Sequence, residues 1–140
     1  MPNLQELEDA MPVAPLKLIA LPSAVQMAKR INRYLVEFRK NIHNDKVKND
    51  PAFHGSIEDN YLVEVQTPRF GSGEAKARFG ESIRGKDLFL LVDVCNHSIT
   101  YNMYGYTNHM SPDDNYQDLK RVIAACNGKA HRINVIMPFL

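Results

Sequence analysis

The run Arg69-Phe70-Gly71-Ser72-Gly73-Glu74, with Gly80-Glu81-Ser82-Ile83-Arg84-Gly85-Lys86-Asp87 close behind it and then Leu88-Phe89-Leu90-Leu91-Val92, decides the fold. Gly71-Ser72-Gly73 is turn chemistry, because glycine reaches backbone angles that tight turns require. Upstream, Tyr61-Leu62-Val63-Glu64-Val65-Gln66-Thr67 alternates at period two until Pro68; downstream, Glu74-Ala75-Lys76-Ala77-Arg78-Phe79 alternates again. The pair predicts a β-hairpin with one polar face. A sheet wrapped on both sides does not tolerate such a face, so the hairpin is expected to project from the main sheet or run along its edge. Gly80 to Asp87 reads as a tight charged turn. Leu88 to Val94 is almost wholly apolar and too short for a typical helix, which predicts a central parallel strand.

Working outward, Leu16-Lys17-Leu18-Ile19-Ala20 is a short apolar run ended by Leu21-Pro22, as in a buried strand. Ser23 with Gln26 three residues on is a capping-box signature. The helix it opens carries Val25, Ala28, Ile31, Leu35 and Phe38 at three- and four-residue spacing. On the other side, Ser111-Pro112-Asp113-Asp114 predicts an N-cap, a first-turn proline and two acids suited to the helix dipole. Tyr116, Leu119, Val122, Ile123 and Cys126 then share a face, and Asn127-Gly128 stops the helix. Ile133-Asn134-Val135-Ile136-Met137 reads as another buried strand. Strand, helix, hairpin, strand, helix, strand is the order of an α/β fold with a mostly parallel sheet flanked by helices. Two polar stretches, 41–60 and 96–110, read as long surface excursions, and residues 1–15 as a leader before the domain at 16–140.

At 140 residues, 44% hydrophobic and 24% charged, this is an ordinary globular composition for one domain. A formal charge of +1 gives no electrostatic case for nucleic acid or an anionic membrane. No apolar run approaches the roughly 20 residues that span a bilayer, and Glu6, Glu8 and Asp9 are no secretory n-region. Two cysteines are too few for a disulfide framework or a zinc site, so a reducing cytoplasm is the default. Pro138-Phe139-Leu140 follow directly on the last predicted strand, where the ligand crevice of an open α/β sheet begins. The expectation is a truncated or partial gene product that lacks catalytic machinery.

Individual candidates read as follows. Gly71-x-Gly73 is not a dinucleotide fingerprint, since Lys76 stands where a third glycine belongs and a strand follows rather than a helix. Asp113-Asp114 opens a helix, unlike paired ribose-gripping acids that follow a strand. No two of His43, His54, His97, His109 and His131 have the spacing of a helical metal site; His97 and His109 share one loop beyond a strand end, within reach of a nucleotide or Mg²⁺, with surface histidines as the plainer reading. Cys95 and Cys126 read as small apolar residues. Phe70 and Glu74 flank a glycine turn at a hairpin tip. There a phenylalanine face can stack on adenine while a carboxylate accepts from the exocyclic amine. The other reading packs Phe70 under the hairpin and leaves Glu74 solvated.

In that order the motifs resemble the N-terminal half of the ribose-phosphate pyrophosphokinases, which make phosphoribosyl pyrophosphate from ATP and ribose 5-phosphate. Phe79-Gly80-Glu81-Ser82-Ile83-Arg84-Gly85-Lys86-Asp87-Leu88-Phe89 is similar to the family run Gly-Glu-Ser-Val-Arg-Gly-x-Asp-Val-Phe. The helix from Asp114-Asn115 and the ending Arg132-Ile133-Asn134-Val135-Ile136-Met137-Pro138-Phe139 resemble the family's Asp-Asn helix and Arg-Ile-x-x-Val-Ile-Pro-Tyr strand. The resemblance implies a phosphoribosyltransferase-like fold with a projecting antiparallel hairpin. It implies that Phe70, Ser72 and Glu74 contact the adenine of ATP, usually across a dimer interface in a neighbour's active site. Arg84 matches an arginine that helps bind allosteric phosphates in members regulated by ADP and phosphate; a turn salt bridge with Glu81 or Asp87 is the other reading. Mg²⁺, ATP, ribose 5-phosphate and a homo-oligomer (dimer or hexamer) follow for the parent enzyme, with no nucleic-acid or membrane partner, while the chain alone is expected to be inactive.

Three departures mark a divergent branch. Ser72 stands where the family has Asp or Asn, and a serine hydroxyl cannot offer the same geometry to a base. Residues 41–60 are longer than the family's usual link from first helix to hairpin, and 96–110 is enlarged. Val92-Asp93-Val94-Cys95 replaces the Gln-Ser-Thr-Cys that often follows the central strand. Two further readings therefore stand beside the enzyme: a non-catalytic homologue that assembles with active subunits and modulates them, and another phosphoribosyltransferase-like protein whose hairpin serves only oligomerisation.

Overall fold

The computed structural model describes residues 12–41, 49–51 and 56–139. Most of the expected leader and much of the 41–60 excursion lie outside them. Four parallel strands form the main sheet in the order β2-β1-β5-β8: β1 (Leu16–Ala20), β2 (Leu62–Val63), β5 (Asp87–Leu91) and β8 (Arg132–Ile136). Two antiparallel pairs stand apart from it, β3 (Val65–Gln66) with β4 (Arg78–Phe79), and β6 (Thr100–Met103) with β7 (Tyr106–His109). Helices α1 (Val25–Lys40) and α2 (Pro112–Cys126) complete the described elements. This is the α/β architecture with a mostly parallel sheet that the sequence predicts. No described helix is long and apolar enough to cross a membrane.

Period-two alternation sorts the sheet's side chains between two cores. Ile19, Leu88 and Leu90 point one way and pack with Leu119, Val122 and Cys126 of α2. Leu18 and Leu91 point the other way and pack with Ala28 of α1 and with Tyr61. Strand β5 is buried because it lies between β1 and β8 and is covered on both faces. Strand β8, expected to be buried, is the outer strand of the sheet, and Val135 and Ile136 are exposed on it. Its neighbour lies on one side only, and that geometry outweighs its apolar composition.

Three local expectations need correction. Ser23 does not cap a helix: a single 3-10 turn, Pro22–Ala24, precedes α1, whose N-cap Ala24 makes no side-chain cap bond. The Ser23 hydroxyl instead accepts the Asp93 backbone N–H at 3.1 Å, satisfying a donor at the exit of β5 that burial would otherwise orphan. Phe38, the last of the predicted apolar positions on α1, is exposed. A helix of 16 residues is about 24 Å long whereas a five-residue strand is about 17 Å, so the last turn overhangs the sheet. The stretch 96–110 is not an irregular excursion but contains the β6–β7 hairpin. Its turn, Tyr104–Gly105, has φ values of 53° and 80°, a pair of left-handed residues that matches the twist of its strands.

The second helix begins as expected. The Ser111 side chain accepts the Asp114 N–H at 3.1 Å, and Asp114 accepts the Ser111 N–H at 2.9 Å. Asn127 ends it in the left-handed conformation. Its inner face is rotated from the predicted one, however. Asn115 and Asp118 are buried with Leu119, Val122 and Cys126, while Tyr116 and Ile123 are exposed.

Candidate functional site

The predicted Tyr61–Thr67 strand divides at Glu64. Leu62 and Val63 pair with β1 in the main sheet, and Val65 and Gln66 pair with Phe79 and Arg78. The Gly80 N–H donates to the Glu64 carbonyl at 2.9 Å at this branch point. The hairpin thus leaves the carboxyl end of an edge strand, as its polar face requires. Beyond the β3–β4 ladder an isolated bridge joins Arg69 to Ala75. The Phe70 N–H then donates to the Glu74 carbonyl at 2.7 Å, and the Gly73 N–H to the Phe70 carbonyl at 2.9 Å. Gly73 sits at φ +89°, which explains glycine there.

Phe70, Ser72 and Glu74 all face solvent at this tip, with 47% of Phe70 exposed. Phe70 therefore does not pack under the hairpin. Ser72 Oγ donates to Glu74 Oε2 at 3.2 Å, and the Lys76 ammonium lies 5.8 Å from the Phe70 ring centroid. The tip offers an aromatic face, an oriented carboxylate, a hydroxyl and a cation between Phe70 and Lys76. Such a set can take a flat heteroaromatic ring that carries an N–H donor at its edge.

Arg69 holds this tip in place, a role that the sequence reading did not assign. Its side chain is only 8% exposed and lies 3.4 Å from Asp118, itself 2% exposed, and 3.9 Å from Asp114. Asp118 also takes Arg121 at 2.6 Å. The Arg69 guanidinium sits 4.7 Å from the centroid of Tyr101, so strand β6 covers it from the other side. Burial works against the ionised form of Asp114, but the Ser111 hydrogen bonds and the charges of Arg69 and Arg121 outweigh it and hold its pKa below the usual aspartate value. The rotated face of α2 now has a reason. Asp118 must meet the buried guanidinium, and Asn115 must reach the Val94 and Asn96 carbonyls, each at 3.3 Å. A polar-looking residue on the core side of a helix was the available signal, and an apolar template hides it.

Arg84 lies elsewhere, before the amino end of β5, in a turn closed by the Lys86 N–H to the Ile83 carbonyl at 3.2 Å. The turn salt bridge that was its alternative reading does not form. Glu81 pairs with Lys17 at 3.3 Å, and Asp87 takes Arg132 at 2.6 Å and Asn134 at 3.0 Å. The exposed Arg84 guanidinium makes no ion pair among the described residues. Lys17 also pairs with Glu58; burial opposes its charge, but both carboxylates more than compensate and raise its pKa.

At the carboxyl ends of β1 and β5 a cavity of about 430 Å³ is lined by Ser23, Met27, Asp93, Asn96, Ser98 and Phe139 among others. This is where open α/β sheets place ligands, yet its polar groups largely satisfy one another, as in the Asn96 amide donating to the Ser23 carbonyl at 3.0 Å. His97 and His109 do come together, with His109 Nδ1 at 3.0 Å from the His97 carbonyl, and both are exposed. Cys126 is buried, and its burial pushes the thiol pKa up, whereas Cys95, expected as a small apolar residue at a strand end, is exposed. Among the described residues no three His, Cys, Asp or Glu side chains converge on a point that could hold a metal ion.

Comparison with known families gives one finding that covers most of the chain. A model described as the N-terminal domain of ribose phosphate pyrophosphokinase matches residues 16–140. No curated protein matches the chain.

Proposed function

The chain belongs to the ribose phosphate pyrophosphokinase family, as the N-terminal domain of such an enzyme, and from that premise we propose that its Phe70 hairpin binds the adenine of Mg-ATP. The parent protein then transfers pyrophosphate to the anomeric hydroxyl of ribose 5-phosphate, giving phosphoribosyl pyrophosphate and AMP. The observation that carries the reading is the exposed Phe70 face beside the Ser72-Glu74 hydrogen bond at the hairpin tip. Phe70 stacks on the purine, Glu74 accepts from the exocyclic amine, and Ser72 holds the Glu74 carboxylate in orientation. Transfer of this kind depends on positioning and charge stabilisation more than on covalent chemistry by the protein. Mg²⁺ enters with the ATP phosphates as substrate, and no step is assigned to a metal held by the described residues.

Arg84, exposed and without a carboxylate partner among the described residues, is the proposed contact for a regulatory phosphate. None of Phe70, Ser72 and Glu74 lines the cavity at the strand ends, which supports a tip that completes a neighbouring subunit's site in a cytoplasmic homo-oligomer. The 140-residue chain alone is then inactive. The test is made in the parent protein. A Phe70→Ala, Glu74→Ala variant is mixed with one inactivated in the other half of the shared site, and partial recovery of AMP production is expected after subunit exchange. An active monomer by sedimentation with no recovery on mixing would sink the shared site. Full-length protein that makes no AMP with Mg-ATP and ribose 5-phosphate would leave the modulator reading in its place.

A further inference from the structure

The solvent-facing side of the Phe70 hairpin changes character along its length. At the tip stand the Phe70 ring and the Glu74 carboxylate, on residues joined across the strands by the Phe70 N–H and the Glu74 carbonyl. Two residues further on, about 7 Å along an extended strand, comes Lys76, whose N–H donates to the Pro68 carbonyl at 3.3 Å. Another such step brings Arg78, opposite Gln66. An aromatic ring and an acceptor thus lie at one end of this face, with cations behind them.

The cations differ in how they are held. Arg78 donates to Gln66 Oε1 at 2.6 and 3.2 Å, and Gln66 donates to Glu64 at 2.6 Å, so the guanidinium is tied to the base of the hairpin. The Lys76 ammonium makes no hydrogen bond or ion pair among the described residues. Glu74, on the same face, is engaged by the Ser72 hydroxyl instead. The ammonium lies over the Phe70 ring, 5.8 Å from its centroid. That is near the limit of about 6 Å for a cation–π contact, and at an exposed position such a contact is weak. The ring keeps the charge beside the base-stacking residue without using it up.

We propose that Lys76 is the cation of the hairpin that meets the polyphosphate of the bound nucleotide, so that the tip recognises an adenine nucleotide and not only adenine. The proposal rests on the adenine reading of Phe70 and extends it from the base to the charge. A base stacked on Phe70 brings its phosphates near the ring, and a phosphate oxygen is a stronger partner for an ammonium than the face of a phenylalanine. Lys76 accordingly leaves the ring for a phosphate oxygen when the nucleotide binds. Arg78, committed to Gln66, is not called on.

The test is calorimetric binding of Mg-ATP, and separately of adenosine, to the parent protein and its variants at low and high salt, with thermal unfolding in parallel. Lys76→Gln should weaken Mg-ATP binding about tenfold, the lower end for a lost hydrogen bond to a charged group. It should also flatten the salt dependence of that binding, while adenosine affinity and melting temperature stay unchanged. Lys76→Arg should keep most of the Mg-ATP affinity, because the charge and its donors remain. Arg78→Gln removes the same charge one step further from the tip, and should weaken Mg-ATP by no more than about twofold. An equal loss in both variants would reduce Lys76 to a share of the net charge and overturn the contact. If Lys76→Gln weakens Mg-ATP and adenosine alike, the lysine only props the Phe70 ring, and the proposal falls. If Phe70→Ala weakens both ligands and Lys76→Gln weakens neither, Lys76 is no part of the site and the adenine reading stands without it. If Phe70→Ala leaves both ligands unaffected, the adenine reading falls and the proposal falls with it.

Discussion

Along the Phe70 hairpin, Val65, Thr67, Arg69, Ala75, Ala77 and Phe79 are half-buried, while Gln66, Phe70, Glu74, Lys76 and Arg78 face solvent. The inner row joins the core under β1 and α2, with Val65, Ala77 and Phe79 packed on buried Leu and Val residues. The outer row packs on nothing in the core. One segment of backbone thus presents a holding face and an offering face, related by the period-two alternation of a strand. The difference teaches where each kind of mutation should register: stability for the inner row, ligand affinity for the outer.

The largest expected effect lies on the inner row. Arg69→Ala leaves Asp118 buried with one cationic partner instead of two, and removes the group that stacks on Tyr101. Losing one partner of a buried ion pair typically costs about 3–5 kcal/mol, and because Arg121 remains, the lower end is expected. Urea unfolding of the variant should show that loss, and both hairpins should loosen together in hydrogen exchange. A loss below about 1 kcal/mol would mean that the guanidinium is no better than an exposed pair, and the holding face would not be one.

Phe70→Ala sets the contrast. Unfolding should change by no more than about 0.5 kcal/mol, as for surface positions generally. In the parent protein the ATP KM should rise far more than the ribose 5-phosphate KM, by a factor equivalent to about 1–3 kcal/mol for one lost base stack. Equal rises in both constants, or a large loss of stability with no change in KM, would erase the distinction between the rows.

Much of this division was legible from alternation alone. The hairpin, its polar face and the parallel sheet follow from patterns spanning a few residues, whereas the exposure of Phe70 stayed open between two readings until the structure placed it. Much of what was not legible came from long-range pairing. Tyr61–Thr67 looks like one strand, and only the competition between β1 and β4 for its hydrogen bonds divides it at Glu64. The α2 face was misjudged because Asn115 and Asp118 look like surface residues until Arg69 and the Val94 carbonyl are beside them. The β6–β7 hairpin was hidden by its polar composition, and its turn carries Tyr104 rather than asparagine before Gly105. The first two misses occur where a distant partner overrides a local preference, and the third where the composition of a local hairpin disguises it.

Ser72→Asp probes the outer row more gently. Ser72 now donates to Glu74 at 3.2 Å; a carboxylate there cannot, but it adds an acceptor for the adenine amine. A gain of about 0.5–1.5 kcal/mol in ATP binding is expected, the usual worth of one added hydrogen bond, with no effect on unfolding. If ATP binding weakens instead, the serine hydroxyl is itself a needed donor, and Glu74 depends on it for its orientation.

The smallest effect tests whether charge, beyond shape, supports the holding face. Asp114 accepts from Ser111 at the start of α2 and lies 3.9 Å from Arg69, and its folded pKa is held below the ordinary aspartate value of 3.8. A carboxyl depressed in this way contributes stability that is present above its unfolded pKa and is lost as pH falls through the folded one. Asp114→Asn keeps an oxygen for the Ser111 N–H but not the charge. Near neutral pH it should therefore cost about 0.5–1 kcal/mol, from the weakened cap and the lost interaction with the helix dipole. That gap should stay constant down to about pH 4, then narrow as the parent protein takes up its proton. Denaturant unfolding at several pH values would show the convergence directly. A gap that persists undiminished into acid would assign the effect to hydrogen-bond geometry alone, and Arg69 would then depend on Asp118 for its charge partner.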